Sequence, residues 1–493
     1  MAEPRTAIRL AAACLAVALA ATADLATGSS SVLASDVIAP LEVTNVRAGM
    51  PSRSRWSRAH PGLEYSVRPA VIGGVFPYHF SLSQAPEGMT IDAATGDVRW
   101  DRPSGTASPM LTVVDAAGSQ VTASWTIQVT AEGFRFVDAV NGKATAGPQC
   151  AADCGQGTRE RPWRTIGDVL SAGRSGDFVY FRSGTYSLRG LPIESGGSGW
   201  DRVTVSESRQ PVVWLAEPGQ TPLIDFADGW GSSKAPLIRF RGDHVYVEGF
   251  ETTNSRFIAF QYEGGGTTGP TFRKLRMHHH GPGVDGSNAA FIMTTTSAQP
   301  SDFMVVQDSE FWAVTGSAVT IKIYAQRKML IENTVHHTSP VGIELKDDVR
   351  QFTVRGNRFF DIAGAAIGGN MHESTTSGEI LFNNARAGVA LDVNQDGMAG
   401  PIHIRRNTLV GRVQVRNTDA ADGPFVFTNN VIVSSDSGPQ GSRIAMIDVA
   451  APGRVQLNDN LTGSPSSRLV DEVGNLAPGR SKGAGTHGHQ LRR

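Results

Sequence analysis

Two lysines, Lys322 and Lys346, stand 24 residues apart at the ends of short segments in which apolar and polar residues alternate. Lysine is scarce in this chain, with 7 lysines against 38 arginines. If the two segments are neighbouring parallel strands, the two ammonium groups lie about 5 Å apart. Repulsion between like charges lowers the pKa of one amine, which can then act as a general base while its neighbour binds an anion. We therefore predict that Lys322 and Lys346 are catalytic.

Other charged residues accompany the two lysines. Glu344 precedes Lys346 on the same segment, and Asp392 and Arg416 continue the same spacing further along the chain. Guanidinium groups bind carboxylates through paired hydrogen bonds, which suits them to an acidic substrate. The predicted substrate-binding residues are Glu344, Arg350, Arg355, Asp392 and Arg416. A solvated charged face without function is the alternative reading of this column.

Histidines and a pair of aspartates extend the candidate site. Two histidine clusters occur, at residues 278–280 and 336–337, and we predict His279 and His337 as catalytic general acids. Consecutive histidines on a strand point to opposite faces, so one cluster cannot bind a single metal with all its rings. A candidate calcium site is formed by Glu344, Asp347 and Asp348. An ordinary turn between strands is the alternative for the two aspartates.

The segments that carry these residues belong to a repeat of about two dozen residues. Each repeat has an apolar stretch, a small polar residue and another apolar residue. The equivalent polar residues are Ser309, Asn333, Asn357, Asn384, Asn407 and Asn430. A fixed period in this range indicates a solenoid. Stacked asparagine amides can bond the asparagine above and below, so we predict that this column is structural.

A second strand in each repeat carries the candidate chemistry. The residues predicted to point inward are Ile321, Leu345, Ile367, Leu391 and Val415. Strand alternation then predicts one outward column of Lys322, Lys346, Gly368, Asp392 and Arg416. The small residues Ala366 and Gly368 would leave this face open for an extended polymer.

The solenoid has a recognisable beginning. Apolar residues at helical spacing between Pro162 and Leu170 precede the strand Phe178–Phe181 and a glycine turn at Gly184. Together these segments resemble the opening of pectate-lyase-like right-handed parallel β-helices, in which an amphipathic helix caps the first coil. The resemblance implies an all-β fold with a right-handed, single-stranded parallel β-helix over residues 132–470. A cap is needed because an open end would expose apolar side chains and unpaired strand edges.

Residues 38–131 contain short alternating strands separated by turn residues. The phrase from Pro86 to Asp92, followed by Thr95-Gly96 and Trp100, resembles the immunoglobulin-like, cadherin-related modules of many secreted bacterial proteins. That resemblance implies a small Ig-like β-sandwich that acts as a spacer or an adhesion module.

The remaining features concern location. Residues 1–23 have a cationic start, an apolar stretch and small residues, which indicates a signal peptide and a secreted protein; a retained anchor is the alternative. Export favours a disulfide between Cys150 and Cys154. Residues 471–493 are predicted to be disordered. The net charge of −1 argues against a nucleic-acid partner, no segment is long and apolar enough to span a membrane, and we expect a monomer.

Lys322, on an outward strand above an asparagine ladder and followed by a basic residue one coil later, is similar to polysaccharide lyase family 6, which includes alginate lyases and chondroitinase-B-like enzymes. The resemblance implies a lysine base at Lys322, an arginine acid and a calcium ion that neutralises the uronate carboxylate. The chain departs from the family pattern at Glu344-Leu345-Lys346-Asp347-Asp348. We therefore expect β-elimination of an acidic polysaccharide. A glycoside hydrolase, a polyuronate epimerase and a non-catalytic glycan-binding adhesin are the alternatives.

Overall fold

The computed structural model describes most of the chain between residues 39 and 463. The described residues are 39–46, 50–145, 150, 153–189, 191, 202–206, 211–226, 237–255, 258–263, 268–280, 290–294, 301–324, 326–347, 349, 351–371, 377–395, 400–416, 424–433, 447–449, 455–463 and 489–490. The predicted signal peptide lies outside them. No helix in this part of the chain is long and apolar enough to cross a membrane.

The first unit is a small β-sandwich. Its strands are Glu42–Val43, Arg58–Ala59, Tyr65–Val67, Val71–Ile72, Tyr78–Ser83, Met89–Ile91, Val98–Trp100, Thr106–Ala107, Met110–Asp115, Gln120–Ser124 and Ile127–Val129, with a 3-10 turn at Arg55–Ser57. Tyr78–Ser83 pairs antiparallel with Met110–Asp115 and places alternate residues such as Phe80 inward. The inward residues pack around Trp56, Trp100 and Trp125. This is the Ig-like sandwich that the sequence predicts.

A short α-helix, Ile166–Ala172, closes the start of the second unit. Thr165 caps its N-terminus: the Thr165 hydroxyl accepts from the backbone N–H of Asp168, and the Asp168 carboxylate accepts from the backbone N–H of Thr165. Ile166 and Val169 face the solenoid core. The helix therefore covers the apolar end of the first coil, as the sequence predicts.

The second unit is a parallel β-helix whose strands form three faces. Face A comprises Phe134–Val137, Phe178–Phe181, Val213–Ala216, Tyr246–Glu248, Thr271–Arg273, the first parts of Val305–Tyr324 and Met329–Asp347, Gln351–Arg355, Ser377–Leu381, Ile402–Arg405, Phe425–Thr428 and Val455–Asn458. Face B comprises Gly184–Ser187, Pro222–Asp225, Glu251–Thr253, Arg276–His278, the middle of the two long strands, the first parts of Arg358–Met371, Asn384–Gln395 and Thr408–Arg416, and then Val431–Val433 and Leu461–Gly463.

Face C follows face B in each coil. It comprises Arg202–Ser206, Leu237–Arg241, Phe260–Glu263, Ala290–Thr294, the last parts of the five long strands and Ile447–Val449. Two short pieces lie apart: Ser301–Asp302 pairs with Gln326–Arg327, and His489–Gln490 pairs antiparallel with Val455–Asn458. The all-β fold class, a parallel β-helix preceded by an Ig-like sandwich, is confirmed.

The asparagine column is present, with one correction. Asn357, Asn383, Asn407 and Asn430 each donate an amide hydrogen bond to the asparagine of the next coil, and the column continues to Asn460. The member that we expected, Asn384, is exposed and begins a face B strand. The side chain two residues after each ladder asparagine must fill the core. Ala385 meets this condition for Asn383, because its side chain is fully buried, whereas Arg386 is exposed.

The sandwich packs against face A. Leu63 joins the aromatic cluster of the first coils, and Ile72 contacts the cluster that contains Val305 and Leu330. Polar contacts also cross the interface: Arg273 lies 2.7 Å from Asp97, and Lys328 lies 2.9 Å from Glu42. Face A is therefore covered over many coils, which leaves faces B and C as candidates for substrate binding.

Candidate functional site

The register of face C separates the two lysines. Lys322 pairs with Glu344 of the next coil, and Glu344 pairs in turn with Gly368. Lys346 pairs with Tyr324 on one side and Asn370 on the other. The prediction that Lys322 and Lys346 are direct neighbours in one outward column is therefore wrong by two residues.

The cause is a shortened bend between faces B and C. Val314 pairs with Thr338, a step of 24 residues, but Ala318 pairs with Pro340, a step of 22 residues. A shift of two residues keeps the same side chains inward, because strand side chains alternate with period two. The apolar pattern therefore fits both alignments equally well. The observed register aligns Ile321, Ile343, Ile367, Leu391 and Val413.

The backbone register of face C aligns two columns of polar residues. The first contains Lys322, Glu344, Gly368, Asp392 and Gln414 on successive coils. The second contains Tyr324, Lys346, Asn370, Asn394 and Arg416. Glu344 and Asp392 are partly exposed, and Gly368 adds no side chain between them. The first column therefore has a carboxylate residue on either side of a glycine.

Some predicted residues are described only in part or not at all. For Lys322, Lys346, Asp347 and Arg416 the backbone pairing is described. Asp348 and Arg350 lie outside the described residues. No group of three histidine, cysteine or acidic side chains that could hold a metal ion occurs among the described residues. The calcium site of Glu344, Asp347 and Asp348 stays a prediction, and no chemical step below is routed through it.

Arg355 lies on face A, away from the other predicted binding residues. Its guanidinium is 2.6 Å from Glu332 and donates a hydrogen bond of 2.9 Å to the hydroxyl of Tyr78 in the sandwich. Burial would lower the pKa of Arg355, but the Glu332 carboxylate keeps this pKa above its usual value. Arg355 therefore joins the two units and is not available to a polymer on face C.

The histidines lie on face B and at its bend towards face C. The rings of His278, Trp312, His336 and Phe360 stack on successive coils, with centroids 4.4 to 5.8 Å apart. His279 and His337 occupy the bend, with positive φ of 53° and 51°, and both are exposed. The two predicted histidines are therefore not brought onto the polar columns of face C.

Each exposed histidine is linked to a carboxylate through its neighbour. Glu310 is 3.1 Å from Nε2 of His336, whose Nδ1 is 2.7 Å from Nδ1 of His337. The same arrangement joins Glu251, His278 and His279 at 2.8 and 2.7 Å. Sequence reasoning missed these glutamates. The position of Glu310 two residues before Trp312 on the same strand was a signal that could have found it, whereas the strand Glu251–Thr253 carries no ring and gives no such signal.

His280 has a structural role. It is buried, Nδ1 accepts from the backbone N–H of Ser255, and Nε2 is 3.0 Å from the hydroxyl of Thr252. Since Nδ1 accepts, the ring proton is on Nε2 and is donated to Thr252. Burial holds the pKa of His280 well below its usual value, so this ring is neutral.

The cysteine prediction is confirmed, because Cys150 and Cys154 form a disulfide. It lies before the capping helix and closes a short loop. The disulfide therefore cross-links the chain locally.

Parts of the chain are similar to known proteins. The family model described as "Putative Ig domain" matches residues 42–130, which agrees with the sandwich. No curated protein sequence matches the chain. The structure is similar to pectate lyase Pel9A, at 14% identity with 71% of this chain and 81% of that chain covered and a TM-score of 0.42.

Two further solved structures are similar. A rhamnogalacturonan lyase is 13% identical, with 66% of this chain and 87% of that chain covered and a TM-score of 0.39. A family 28 exopolygalacturonase of Yersinia enterocolitica is 10% identical, with 88% and 100% covered and a TM-score of 0.34. These neighbours are parallel β-helix proteins, and the similarity is weak.

Proposed function

We propose that the protein is a carbohydrate-active enzyme that cleaves an acidic polysaccharide on face C by β-elimination. The observation that carries the proposal is the arrangement of face C, where Lys322 pairs with Glu344 and Lys346 lies in the adjacent polar column. A solenoid face offers an extended surface, which suits a linear polymer. Gly368, which stands between Glu344 and Asp392 in the register, adds no side chain to this face.

The register assigns different roles to the two lysines. A carboxylate beside a lysine stabilises its ammonium form, so Lys322 next to Glu344 is suited to bind the uronate carboxylate. In the adjacent coils Lys346 pairs with Tyr324 and Asn370, and neither carries a carboxylate. Lys346 is therefore our candidate for the base.

The elimination balances without a further reactant. The Lys346 amine takes the proton from the carbon next to the uronate carboxylate, and the electron pair forms a carbon–carbon double bond as the neighbouring glycosidic C–O bond breaks. The developing negative charge is stabilised by the cation of Lys322, which lies on the coil next to that of Lys346. The proton on Lys346 then passes to the leaving oxygen. His279 and His337, at the bend of face B, have no role in this step.

The test is turnover of a panel of polyuronates, followed by the ultraviolet absorbance of unsaturated chain ends. Removing a general base reduces kcat by about 100-fold or more, which we expect for Lys346→Met. Lys322→Met is expected mainly to raise KM. The control is Lys143→Met, since Lys143 is exposed and pairs only with Asp153 among the described residues. If no polymer yields unsaturated ends, or if activity survives both changes, the lyase proposal is refuted.

Hydrolysis is the second candidate, and one observation favours it. Glu344 and Asp392 lie in the same column two coils apart, which corresponds to about 10 Å between their strands. Inverting glycosidases hold two carboxyl groups roughly 6.5 to 9.5 Å apart, with a water between them. In that case new reducing ends appear without unsaturation, and Glu344→Gln and Asp392→Asn each abolish them. An epimerase changes the uronate configuration without shortening the polymer, and an adhesin binds the polymer unchanged.

We also propose that the protein is exported, with residues 1–23 removed. The Cys150–Cys154 disulfide supports this, because such bonds persist in oxidising compartments. Mass spectrometry of the protein from culture medium and periplasm tests the proposal. An intact chain recovered only from the cytosol would contradict it.

A further inference from the structure

The arginines on the strands of the β-helix fall into two groups. Seven of those whose side chains are described form an ion pair with a carboxylate; they are Arg135, Arg239, Arg241, Arg273, Arg276, Arg355 and Arg405. Three others, Arg358, Arg386 and Arg412, form no ion pair within the described part of the chain and are exposed. Among the described side chains on β-helix strands, exposed arginines without a carboxylate partner are thus confined to one region.

These three arginines lie on successive coils. Arg358 begins face B of one coil and pairs with Asn384 of the next, which also carries Arg386 on face B. Arg412 lies on the third coil, at the start of face C, where it pairs with Val389. Each coil adds about 4.8 Å. We name this set of Arg358, Arg386 and Arg412 the arginine diagonal, because it runs from face B around the bend to face C.

No carboxylate among the described residues forms an ion pair with the arginine diagonal. The guanidinium of Arg358 lies over the ring of Phe360, 5.2 Å from its centroid, a contact that restricts the side chain without neutralising it. The next residue, Asp361, is 3.4 Å from His337. Upstream on face B the corresponding cation is paired, since Arg276 lies 2.9 Å from the carboxylate of Glu251.

We propose that the arginine diagonal binds an acidic polysaccharide and leads it from face B onto face C. Guanidinium groups bind carboxylates through paired hydrogen bonds, and a row of them at one per coil matches a polymer with repeated carboxylates. The choice of a polyuronate as the polymer rests on the proposed function. Arg416, on face C of the same coil as Arg412, continues the path towards the second polar column.

The test measures binding separately from turnover. All proteins carry Lys346→Met so that cleavage does not consume the polymer, and polygalacturonate, alginate, neutral dextran and duplex DNA are the probes. The diagonal variant combines Arg358→Gln, Arg386→Gln and Arg412→Gln, and a second version has lysine at the same positions. The control variant changes three exposed arginines elsewhere, Arg99, Arg102 and Arg164, to glutamine, which alters the net charge equally.

An exposed ion pair changes an affinity by less than tenfold, so losing three is expected to weaken polyuronate binding about tenfold at low salt. The control is expected to bind within about threefold of the parent. The lysine version keeps the charge but not the paired hydrogen bonds, so its affinity should lie between those of the parent and the diagonal variant. The difference between the parent and the diagonal variant should vanish in 1 M salt, where the Debye length is about 3 Å. The proposal is overturned if the parent binds no polyuronate, if the control loses as much as the diagonal variant, or if DNA is preferred. Binding that depends on the diagonal, without any cleavage by the wild-type chain, would instead leave this inference standing and remove the lyase proposal.

Discussion

Replacing Arg273 by methionine removes a fully buried cation at the contact between the sandwich and face A. The Arg273 side chain is 0% exposed, and its guanidinium lies 2.7 Å from Asp97, 3.2 Å from Asp308 and 3.8 Å from Glu248. Methionine occupies a similar space without charge. Glu248 then retains Lys274, at 2.9 Å, as a close cation, and Asp97 loses its partner across the interface.

The expected loss of stability can be worked out from the pKa of Glu248. Burial would raise the pKa of this carboxyl, but Arg273, Lys274 and Arg55 lower it from 4.5 to about 2. One pKa unit corresponds to about 1.4 kcal/mol, so the shift represents about 3 kcal/mol of native-state stability. Because the folded pKa is the lower one, this stability is present above about pH 4.5 and is lost as the pH falls towards 2. Removing one partner of a buried ion pair costs about 3 to 5 kcal/mol.

We therefore expect Arg273→Met to reduce the free energy of unfolding by about 3 kcal/mol at pH 7, and by less at pH 3. Urea and thermal denaturation of the full chain at both pH values measure the change. Arg276→Met is the control: Arg276 is on the same stretch of chain, its side chain is 50% exposed, and it lies 2.9 Å from Glu251. Exposed pairs contribute about 1 kcal/mol or less. If the two variants lose equal stability, or if the Arg273 effect does not shrink in acid, the reasoning is refuted.

Three further predictions concern the scaffold. Asn383→Leu leaves ladder groups of the neighbouring coils without partners and should cost about 2 kcal/mol or more in urea denaturation, whereas Asn384→Leu should change stability by less than about 0.5 kcal/mol; equal losses would contradict the corrected ladder. Since His280 has a folded pKa well below 6.5, the stability that its neutral form supports is lost as the pH falls below 6.5. His280→Gln should therefore flatten the dependence of Tm on pH on the acid side of 6.5, and an unchanged slope would refute the role of burial. Cys150→Ser combined with Cys154→Ser opens a short loop, costs about 2 kcal/mol at most, and should leave the turnover proposed for face C unchanged when assayed below the Tm.

Much of the architecture could be predicted from the sequence because every coil of a solenoid needs the same pattern of apolar and polar residues. The inward positions of every coil must be apolar, so the pattern around Ile331, Val354 and Ile404 recurs with each turn of the chain. The Thr165 cap and the apolar residues after it likewise identify the closing helix. These features depend on local sequence and on the alternation of side chains along a strand, so they can be predicted without a structure.

The outward register of face C could not be predicted in the same way. The bend between Thr338 and Pro340 is two residues shorter than the bend between Val314 and Ala318 on the preceding coil, and this moves Lys322 from beside Lys346 to beside Glu344. No apolar residue moves from the inner to the outer face in this shift, so the hydrophobic pattern does not reveal it. The choice between Asn383 and Asn384 was hidden for a related reason, because the buried residue that follows is the small Ala385.

The predicted role of a charged residue was wrong where its actual partner lies in the sandwich. Arg355 has the residue type and spacing of a substrate ligand, yet it contacts Tyr78, which lies 277 positions away in the chain. Such a pairing depends on how the sandwich sits on face A, and nothing in the local sequence around Arg355 encodes it. The unpaired arginines of the diagonal could be recognised only after the paired ones had been identified.

The sandwich also has a consequence for how the solenoid unfolds. Each coil of a β-helix contacts only its neighbours, so such a molecule can lose coils one by one from an end. Here a single folded unit contacts coils from the aromatic cluster around Phe134 to Phe382, which packs against Phe76 of the sandwich. Coils within this span cannot separate without releasing the sandwich, so they form one cooperative block. The coils of Phe425–Thr428 and Val455–Asn458 lie beyond Phe382, and we expect their amides to exchange with solvent hydrogen first.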